Sequence, residues 1–196
     1  MRLTGGESAG RTLKVPKSDA IRPTQDRVRE ALFNILQAEV PGCDFLDLFA
    51  GTGAVGLEAL SRGAKSATFV ESNRRHLATL RENLEAVAGG GRGFSCTRAA
   101  STTAIAAADA YRWLATYAGP GFSIGFADPP YALGEEKGYA SVLATLAERG
   151  VIRPGGLFVA EMTAVQKAEE TPGWELLRDR TYGKTRICIW RRTSAQ

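Results

Sequence analysis

The stretch that decides the fold is Asp47-Leu48-Phe49-Ala50-Gly51-Thr52-Gly53-Ala54-Val55-Gly56. Residues 45–49, which are apolar except for Asp47, predict a first central strand, and residues 54–61 predict a helix directly after the glycines. Gly51 and Gly53 allow the backbone to come close to a ligand, while Gly56 allows the helix to pack on the strand. This order of strand, glycine loop and helix predicts the nucleotide-binding half of a parallel α/β sheet.

Two carboxylates indicate what the loop binds. Glu71 lies 20 residues past Gly51, at the end of a second predicted strand at residues 67–70, where it can accept both ribose hydroxyls of a nucleoside. Asp47 lies four residues before Gly51, where it can hold the α-amino group of S-adenosylmethionine, directly or through water. The same carboxylate would repel the pyrophosphate of NAD. We therefore expect S-adenosylmethionine, against the alternative of a helix-packing loop with a surface glutamate.

A second motif, Asp128-Pro129-Pro130-Tyr131, follows the apolar run 122–127. Proline fixes φ, has no N–H and pushes the preceding residue towards extended geometry, so the strand must end in a rigid turn. A carboxylate and a proline carbonyl can accept both N–H bonds of an amino group, and the tyrosine ring can stack on a base. The turn therefore suits an amino group on adenine, cytosine or guanine.

The remaining segments continue the alternation of strands and helices. Thr24 is predicted to be the N-cap of a first helix, whose core face would consist of Val28, Ala31, Leu32, Ile35 and Leu36. Further predicted elements are a helix marked by Leu77, Leu80, Leu84 and Val87, a helix at 139–149, a strand at 155–161 and a C-terminal hairpin at 174–191. Together they predict a doubly wound, mostly parallel, seven-stranded Rossmann-like sheet with an antiparallel C-terminal hairpin and a small N-terminal hairpin and helix extension.

Residues 92–118 allow two assignments. Residues 94–98 could form the third strand, followed by an alanine-rich helix, since alanine favours helix. Alternatively the strand is at 104–108 and ends at Asp109, with residues 92–102 as an insertion. The second assignment is slightly favoured, because an acid at a strand end then precedes a helix start. Asp109 would in that case lie near the adenine of the cofactor.

Composition restricts the class of protein. A chain of 196 residues fits one domain with a small appendage, predicted as a basic N-terminal arm at 1–21 and a cofactor-binding domain at 22–196. Cys43, Cys96 and Cys188 are isolated, which argues against a disulfide framework or a zinc site and fits a reducing cytoplasm. The sequence contains no apolar run long enough for a membrane helix. We expect no signal peptide, and we expect a monomer.

The net charge of +4 is unevenly distributed. Residues 1–29 hold seven basic and three acidic side chains, and residues 178–192 hold six basic and one acidic. The rest of the chain therefore has an acidic excess. This asymmetry favours a surface for a polyanion formed where the two ends come together, against the alternative that the charges serve solubility.

With these motifs the chain resembles the RsmD-type methyltransferases, which methylate the 2-amino group of a guanine in small-subunit ribosomal RNA. The resemblance covers nearly the whole chain and is carried mainly by residues 22–34, beginning Arg22-Pro23-Thr24, and by Asp128 to Tyr131. It extends through Asp47 to Ala64, Glu71 and the late Tyr182-Gly183-Lys184-Thr185-Arg186. The chain departs from the family pattern at residues 92–108.

The resemblance implies a set of site residues and partners. Asp128 and Pro129 would hold the amine, with Pro130 and Tyr131 completing the catalytic turn. The cofactor-binding set is Thr24, Asp47, Phe49, Gly51, Gly53, Glu71 and Asp109, and the phosphate-contacting set is Arg22, Arg27, Arg29 and the basic hairpin ends. The implied substrate is 16S ribosomal RNA, within a small-subunit particle. Alternatives are an adenine or cytosine amino-methyltransferase, a catalytically silent RNA-binding assembly factor and an NAD-dependent oxidoreductase.

Overall fold

The computed structural model describes residues 1–16, 26–88, 102–129, 139–168 and 170–194. Its helices are α1 Asp26–Ile35, α2 Ala54–Ser61, α3 Arg74–Ala88, α4 Ala110–Thr116 and α5 Ala140–Glu148. Its strands are β1 Asp44–Asp47, β2 Ser66–Glu71, β3 Thr102–Ala107, β4 Phe122–Ala127, β5 Ile152–Thr163, β6 Trp174–Tyr182 and β7 Thr185–Arg192. The sheet has seven strands in the order β3-β2-β1-β4-β5-β7-β6. The predicted Rossmann-like sheet is confirmed.

Within the described residues, no helix is both long and apolar enough to cross a membrane.

The chain divides into two compact units, of which the first is residues 1–108. Its strands β1, β2 and β3 pair in parallel, and Phe45, Phe69 and Val70 are fully buried in its core. A Cβ at Gly56 would lie 2.3 Å from Cε1 of Phe69. The glycine therefore permits close contact between α2 and β2, whereas the sequence predicts packing on the strand that precedes the loop.

The N-terminal segment, residues 1–16, belongs to this first unit. Arg2 and Thr12 form an antiparallel bridge, and the side chains of Leu3 and Leu13 are 1% and 2% exposed. The Ser61 carbonyl at the end of α2 accepts a 2.7 Å bond from the Glu7 N–H. The segment is thus a hairpin packed against the unit, while the predicted domain boundary at residue 21 lies outside the described residues.

The second unit is residues 109–196. All six residues of β4 are buried. β4 pairs in parallel with β5, which pairs antiparallel with β7, and β7 pairs antiparallel with β6. Gly183, at φ 61°, forms the turn of the hairpin in the left-handed region that glycine adopts without strain. Trp174 and Trp190 are buried among the rings of Tyr139 and Phe158, so they are packing residues.

The structure decides between the two assignments of the third strand. β3 spans Thr102–Ala107 and α4 begins at Ala110, which confirms the favoured assignment; residues 89–101 lie outside the described residues.

One core prediction was wrong: Ile35, at the last position of α1, is 37% exposed. The first strand is also shorter than predicted, because the chain turns at Leu48 and Phe49.

Candidate active site

The glycine loop has one open side. Gly51 and Gly53 have φ of 53° and 83°, values that disfavour any side chain. A Cβ at Gly51 would meet nothing within 4 Å, whereas one at Gly53 would lie 2.3 Å from Cδ1 of Leu80. Gly51 is therefore the position where a ligand can approach the backbone. At Gly53 the glycine is required for φ and for packing on α3, and its contact with the cofactor stays a prediction.

Glu71 holds this loop at the end of β2. Its Oε2 accepts a 2.8 Å bond from the Gly51 N–H, and its Oε1 accepts a 2.6 Å bond from the Asn73 N–H. The side chain is 11% exposed, and Nδ1 of His76 lies 3.7 Å from Oε2. Each carboxylate oxygen has two lone pairs, so Glu71 retains acceptor capacity for ribose hydroxyls while it holds Gly51.

Asp47 lies beneath the loop and is 1% exposed. Its Oδ2 accepts a 3.0 Å bond from the N–H of Gly56, the third residue of α2. The N-cap of that helix is Gly53, so the carboxylate of Asp47 satisfies the free donor that an N-cap side chain normally satisfies. Burial raises the pKa of Asp47 to about 7, despite the bond from Gly56 and with a further contribution from the charge of Glu71. A cation placed beside this carboxylate would be bound favourably.

Arg29 is a correction to the predicted RNA-contacting set. It is 0% exposed, its Nε lies 3.2 Å from Oε2 of Glu58, and its Nη2 lies 3.0 Å from Oδ1 of Asp26. A fully buried guanidinium with these partners cannot reach a phosphate. Arg27, on the same helix, is exposed. Arg22 lies outside the described residues.

The basic side chains of the C-terminal hairpin likewise divide into exposed ones and ones that are paired within the fold. Arg178, Arg180, Lys184 and Arg191 are exposed. Arg186 instead forms two charge-assisted bonds with Asp179. Arg192 donates to the carbonyls of Ile152 and Ala147, which makes it a structural residue.

The second motif is described in part. Asp128 and Pro129 directly follow the last residue of β4, with Asp128 half-buried and Pro129 buried. Burial raises the pKa of Tyr139, and the negative charge of Asp128 raises it further. Pro130, Tyr131 and Thr24 lie outside the described residues.

Two other predicted cofactor residues are described. Asp109 is the N-cap of α4, where its Oδ1 accepts a 2.9 Å bond from the Arg112 N–H. That bond gives Asp109 a structural role whether or not it contacts an adenine. Phe49 is half-buried in the turn after β1, two residues before Gly51.

The sequence analysis missed two buried polar residues of the first unit, Glu58 and Asn83, which are 0% and 1% exposed. Glu58 accepts bonds from Thr4, Arg29 and Arg62. Asn83 bonds to the glycine loop at Thr52. A signal existed for Asn83, since it lies three residues after Leu80, on the apolar face of α3.

Comparison with known proteins agrees with the fold and the motifs. The family model described as "Conserved hypothetical protein 95" matches residues 1–191. The chain is 34% identical to ribosomal RNA small subunit methyltransferase D of Escherichia coli K12 over 98% of its own length and 90% of that protein. The Escherichia coli protein yhhF superposes with a TM-score of 0.82 at 32% identity, covering 100% of this chain and 99% of that one.

A third relative comes from another organism. A hypothetical protein of Thermus thermophilus superposes with a TM-score of 0.75 at 33% identity, covering 96% of this chain and 98% of that one. Both the family match and the 34% identity extend over nearly the whole chain. The chain belongs to the RsmD family of methyltransferases.

Proposed function

We propose that this protein transfers a methyl group from S-adenosylmethionine to the exocyclic 2-amino group of a guanine in small-subunit ribosomal RNA. The observation that carries the proposal is the buried Asp47 carboxylate beneath a glycine loop whose Gly51 faces open space. A cationic cofactor compensates this carboxylate, whereas a pyrophosphate would repel it. The RNA substrate is supported by relatives named ribosomal RNA small subunit methyltransferase D.

The residues of the first unit suit the cofactor on three sides. Gly51 leaves room for close approach of the backbone, Glu71 has lone pairs for the ribose hydroxyls, and Asp47 supplies a negative charge for the α-ammonium group. When bound, the cofactor supplies a methyl group on a positively charged sulfur, which is already activated for transfer. Thr24, Phe49 and Asp109 are further candidate contacts to the cofactor.

Asp128 and Pro129 are assigned to the amine. The Asp128 carboxylate and the Pro129 carbonyl would accept the two N–H bonds, which turns the nitrogen lone pair out of conjugation with the base. With the cofactor bound, the nitrogen would face its methyl group, and Asp128 or water would accept the proton that the amine loses on transfer. Orientation supplies much of the acceleration. Tyr131 would stack on the base and offset part of the cost of unstacking it, which is a few kcal/mol.

RNA contact is assigned to the exposed part of the basic set. Arg27, Arg178, Arg180 and Lys184 are exposed and can contact phosphates, and Arg22 remains a candidate. Phosphate contacts of this kind position a substrate without reading its sequence. We further propose that the protein acts as a monomer in the cytoplasm, on a small-subunit particle.

Asp128→Ala tests the amine-holding role. We expect methyl transfer to be abolished while the dissociation constant for S-adenosylmethionine stays within several-fold, because Asp128 is assigned to the amine and not to the cofactor. The readouts are transfer of labelled methyl and calorimetry. The exposed Glu148 of α5 gives the control Glu148→Ala, which should retain activity. Unchanged turnover in Asp128→Ala would remove this role.

A second experiment tests the substrate. Labelled cofactor is offered to naked ribosomal RNA and to small-subunit particles, both from a strain lacking this protein, and the modified nucleotide is mapped. The proposal requires label on the 2-amino group of one guanine. Label on adenine or cytosine, or no transfer to either substrate by protein that binds the cofactor, would overturn it.

A further inference from the structure

Asn83 of α3 connects two segments that lie far apart in the sequence. Its Oδ1 accepts a 2.8 Å bond from the Lys14 N–H, and its Nδ2 donates to the Lys14 carbonyl at 3.1 Å. The same Nδ2 donates to the carbonyl of Thr52 at 3.0 Å. The residue is 1% exposed, so these bonds form where water does not compete with them.

The three partners permit only one orientation of the amide. An N–H must face Oδ1 and two carbonyls must face Nδ2. If the amide were rotated so that its oxygen and nitrogen exchanged places, two donors would meet at one contact and two acceptors at each of the other two. The two bonds to the Lys14 backbone thereby fix the side chain. The remaining donor function points to Thr52, the residue between Gly51 and Gly53. Side chains of similar size do not supply this combination, because an aspartate carboxylate lacks donors and leucine lacks both functions.

A loop with two glycines costs conformational entropy to order when it binds a ligand. In this protein two side chains hold the loop from different elements. Glu71 at the end of β2 bonds the Gly51 N–H, and Asn83 on α3 bonds the Thr52 carbonyl. These bonds hold the peptide group before Gly51 and the one between Thr52 and Gly53, which preorganises the loop before a ligand arrives.

We infer that Asn83 is a positioning residue for the cofactor loop, and that the backbone of Lys14 serves to orient it. This inference rests on the proposed assignment of the loop to S-adenosylmethionine. It adds a residue that need not touch the cofactor, and it gives the packed N-terminal hairpin a role in cofactor binding.

The experiment compares Asn83→Ala and Asn83→Asp with the wild type. We expect the dissociation constant for S-adenosylhomocysteine, measured by calorimetry, to rise about tenfold in both variants, and KM for the methyl donor to rise with it. At saturating methyl donor, kcat should stay within about threefold, because the loop is ordered once the donor is bound. The neighbouring, exposed Glu82 provides the matched control Glu82→Ala, which loses only its 2.9 Å ion pair with Nζ of Lys14.

Two outcomes separate this inference from the assignment on which it rests. A purely structural role for Asn83 would lower the melting temperature but leave the dissociation constant and KM of the folded protein unchanged, which would overturn the inference. Glu71→Ala serves as the reference for the loop itself. If Glu71→Ala weakens cofactor binding and Asn83→Ala does not, only the inference is wrong, whereas if neither weakens it, the proposed cofactor site is wrong as well.

Discussion

Two carboxylates beside α2, Glu58 and Asp47, are equally buried and behave in opposite ways. They are 0% and 1% exposed. The pKa of Glu58 is lowered, although burial alone would raise it. The pKa of Asp47 is raised to about 7, chiefly by burial. Of these two carboxyls removed from solvent, one is thus held as a stable anion and the other titrates near neutrality.

The difference comes from the groups that face each carboxylate. Glu58 accepts bonds from the N–H and the hydroxyl of Thr4 and from the guanidinium groups of Arg29 and Arg62. These donors outweigh the cost of burial. Asp47 accepts a bond from the N–H of Gly56, which does not outweigh that cost. A buried carboxylate compensated within the fold serves stability, whereas one that is not compensated can still bind a cation.

The largest expected effect tests Glu58. Glu58→Ala removes the anion that faces Arg29, whose side chain is 0% exposed, and leaves a buried cation short of a partner. Loss of one member of such a pair costs about 3–5 kcal/mol, measured as the free energy of unfolding in urea. Glu82→Ala, whose side chain is 53% exposed in an ion pair with Lys14, should cost no more than about 1 kcal/mol. Equal losses in the two variants would contradict the structural role of Glu58.

The structural role of Glu58 should also appear in the pH dependence of the free energy of unfolding. Because the pKa of Glu58 is lowered below its ordinary value of 4.5, the folded state favours the ionised form. Its contribution to stability is present above pH 4.5 and is lost as the pH falls through the lowered folded pKa. In Glu58→Ala this part of the acid unfolding should disappear, while Glu82→Ala should keep it.

The next effect tests Asp47, through the cofactor. If the α-ammonium group of S-adenosylmethionine pairs with the ionised carboxylate, binding must release a proton whenever the pH lies below the free pKa of about 7. Affinity should therefore rise by about tenfold between pH 6 and pH 8. Asp47→Asn should bind more weakly and lose this dependence. Calorimetry in buffers of different ionisation enthalpy measures both the affinity and the released proton, and an equally steep pH dependence in Asp47→Asn would exclude the pairing.

Stability should respond to Asp47→Asn in the opposite sense to Glu58→Ala. The folded pKa of Asp47 lies above its ordinary value of 3.8, so the free protein loses stability as the pH rises from about 4 to about 7. The asparagine oxygen can still accept the Gly56 N–H without that cost. Asp47→Asn should consequently be no less stable than the wild type at pH 8, in urea unfolding without cofactor.

Local sequence predicts those parts of the fold that local patterns determine. The bounds of α2 and β4 agree with the sequence prediction, because Gly53 directly precedes α2 and the Asp128-Pro129 turn directly follows β4. Glu71 lies at the end of β2, where its spacing from the glycines predicts it, and Asp47 lies beside the start of α2; their roles towards the cofactor stay predictions. Asp109 was placed at the right strand end because an acid there also starts a helix.

Arg29 and Glu58 could not be predicted in this way. They lie 29 positions apart, and each looks like an ordinary surface charge until its partner is known. Once they are paired, a helix face that includes Arg29 can be buried as well as one made of leucines. The exposure of Ile35 at the end of α1 could not be predicted from the sequence either. Hydrophobic periodicity identifies the buried face of a helix but not the position along the helix at which the core ends.

The smallest expected effect separates two arginines on that helix. Arg27 is exposed and Arg29 is fully buried in ion pairs, although the sequence assigns both to RNA. Arg27→Ala should leave unfolding within about 0.5 kcal/mol and reduce the slope of log affinity for RNA against log salt concentration by about 0.7–0.9, the value of one phosphate contact. Arg29→Ala should lower stability instead, and where it remains folded its salt slope should match the wild type. Filter binding across a series of salt concentrations distinguishes the two, and an unchanged slope in Arg27→Ala would remove α1 from the RNA-contacting surface.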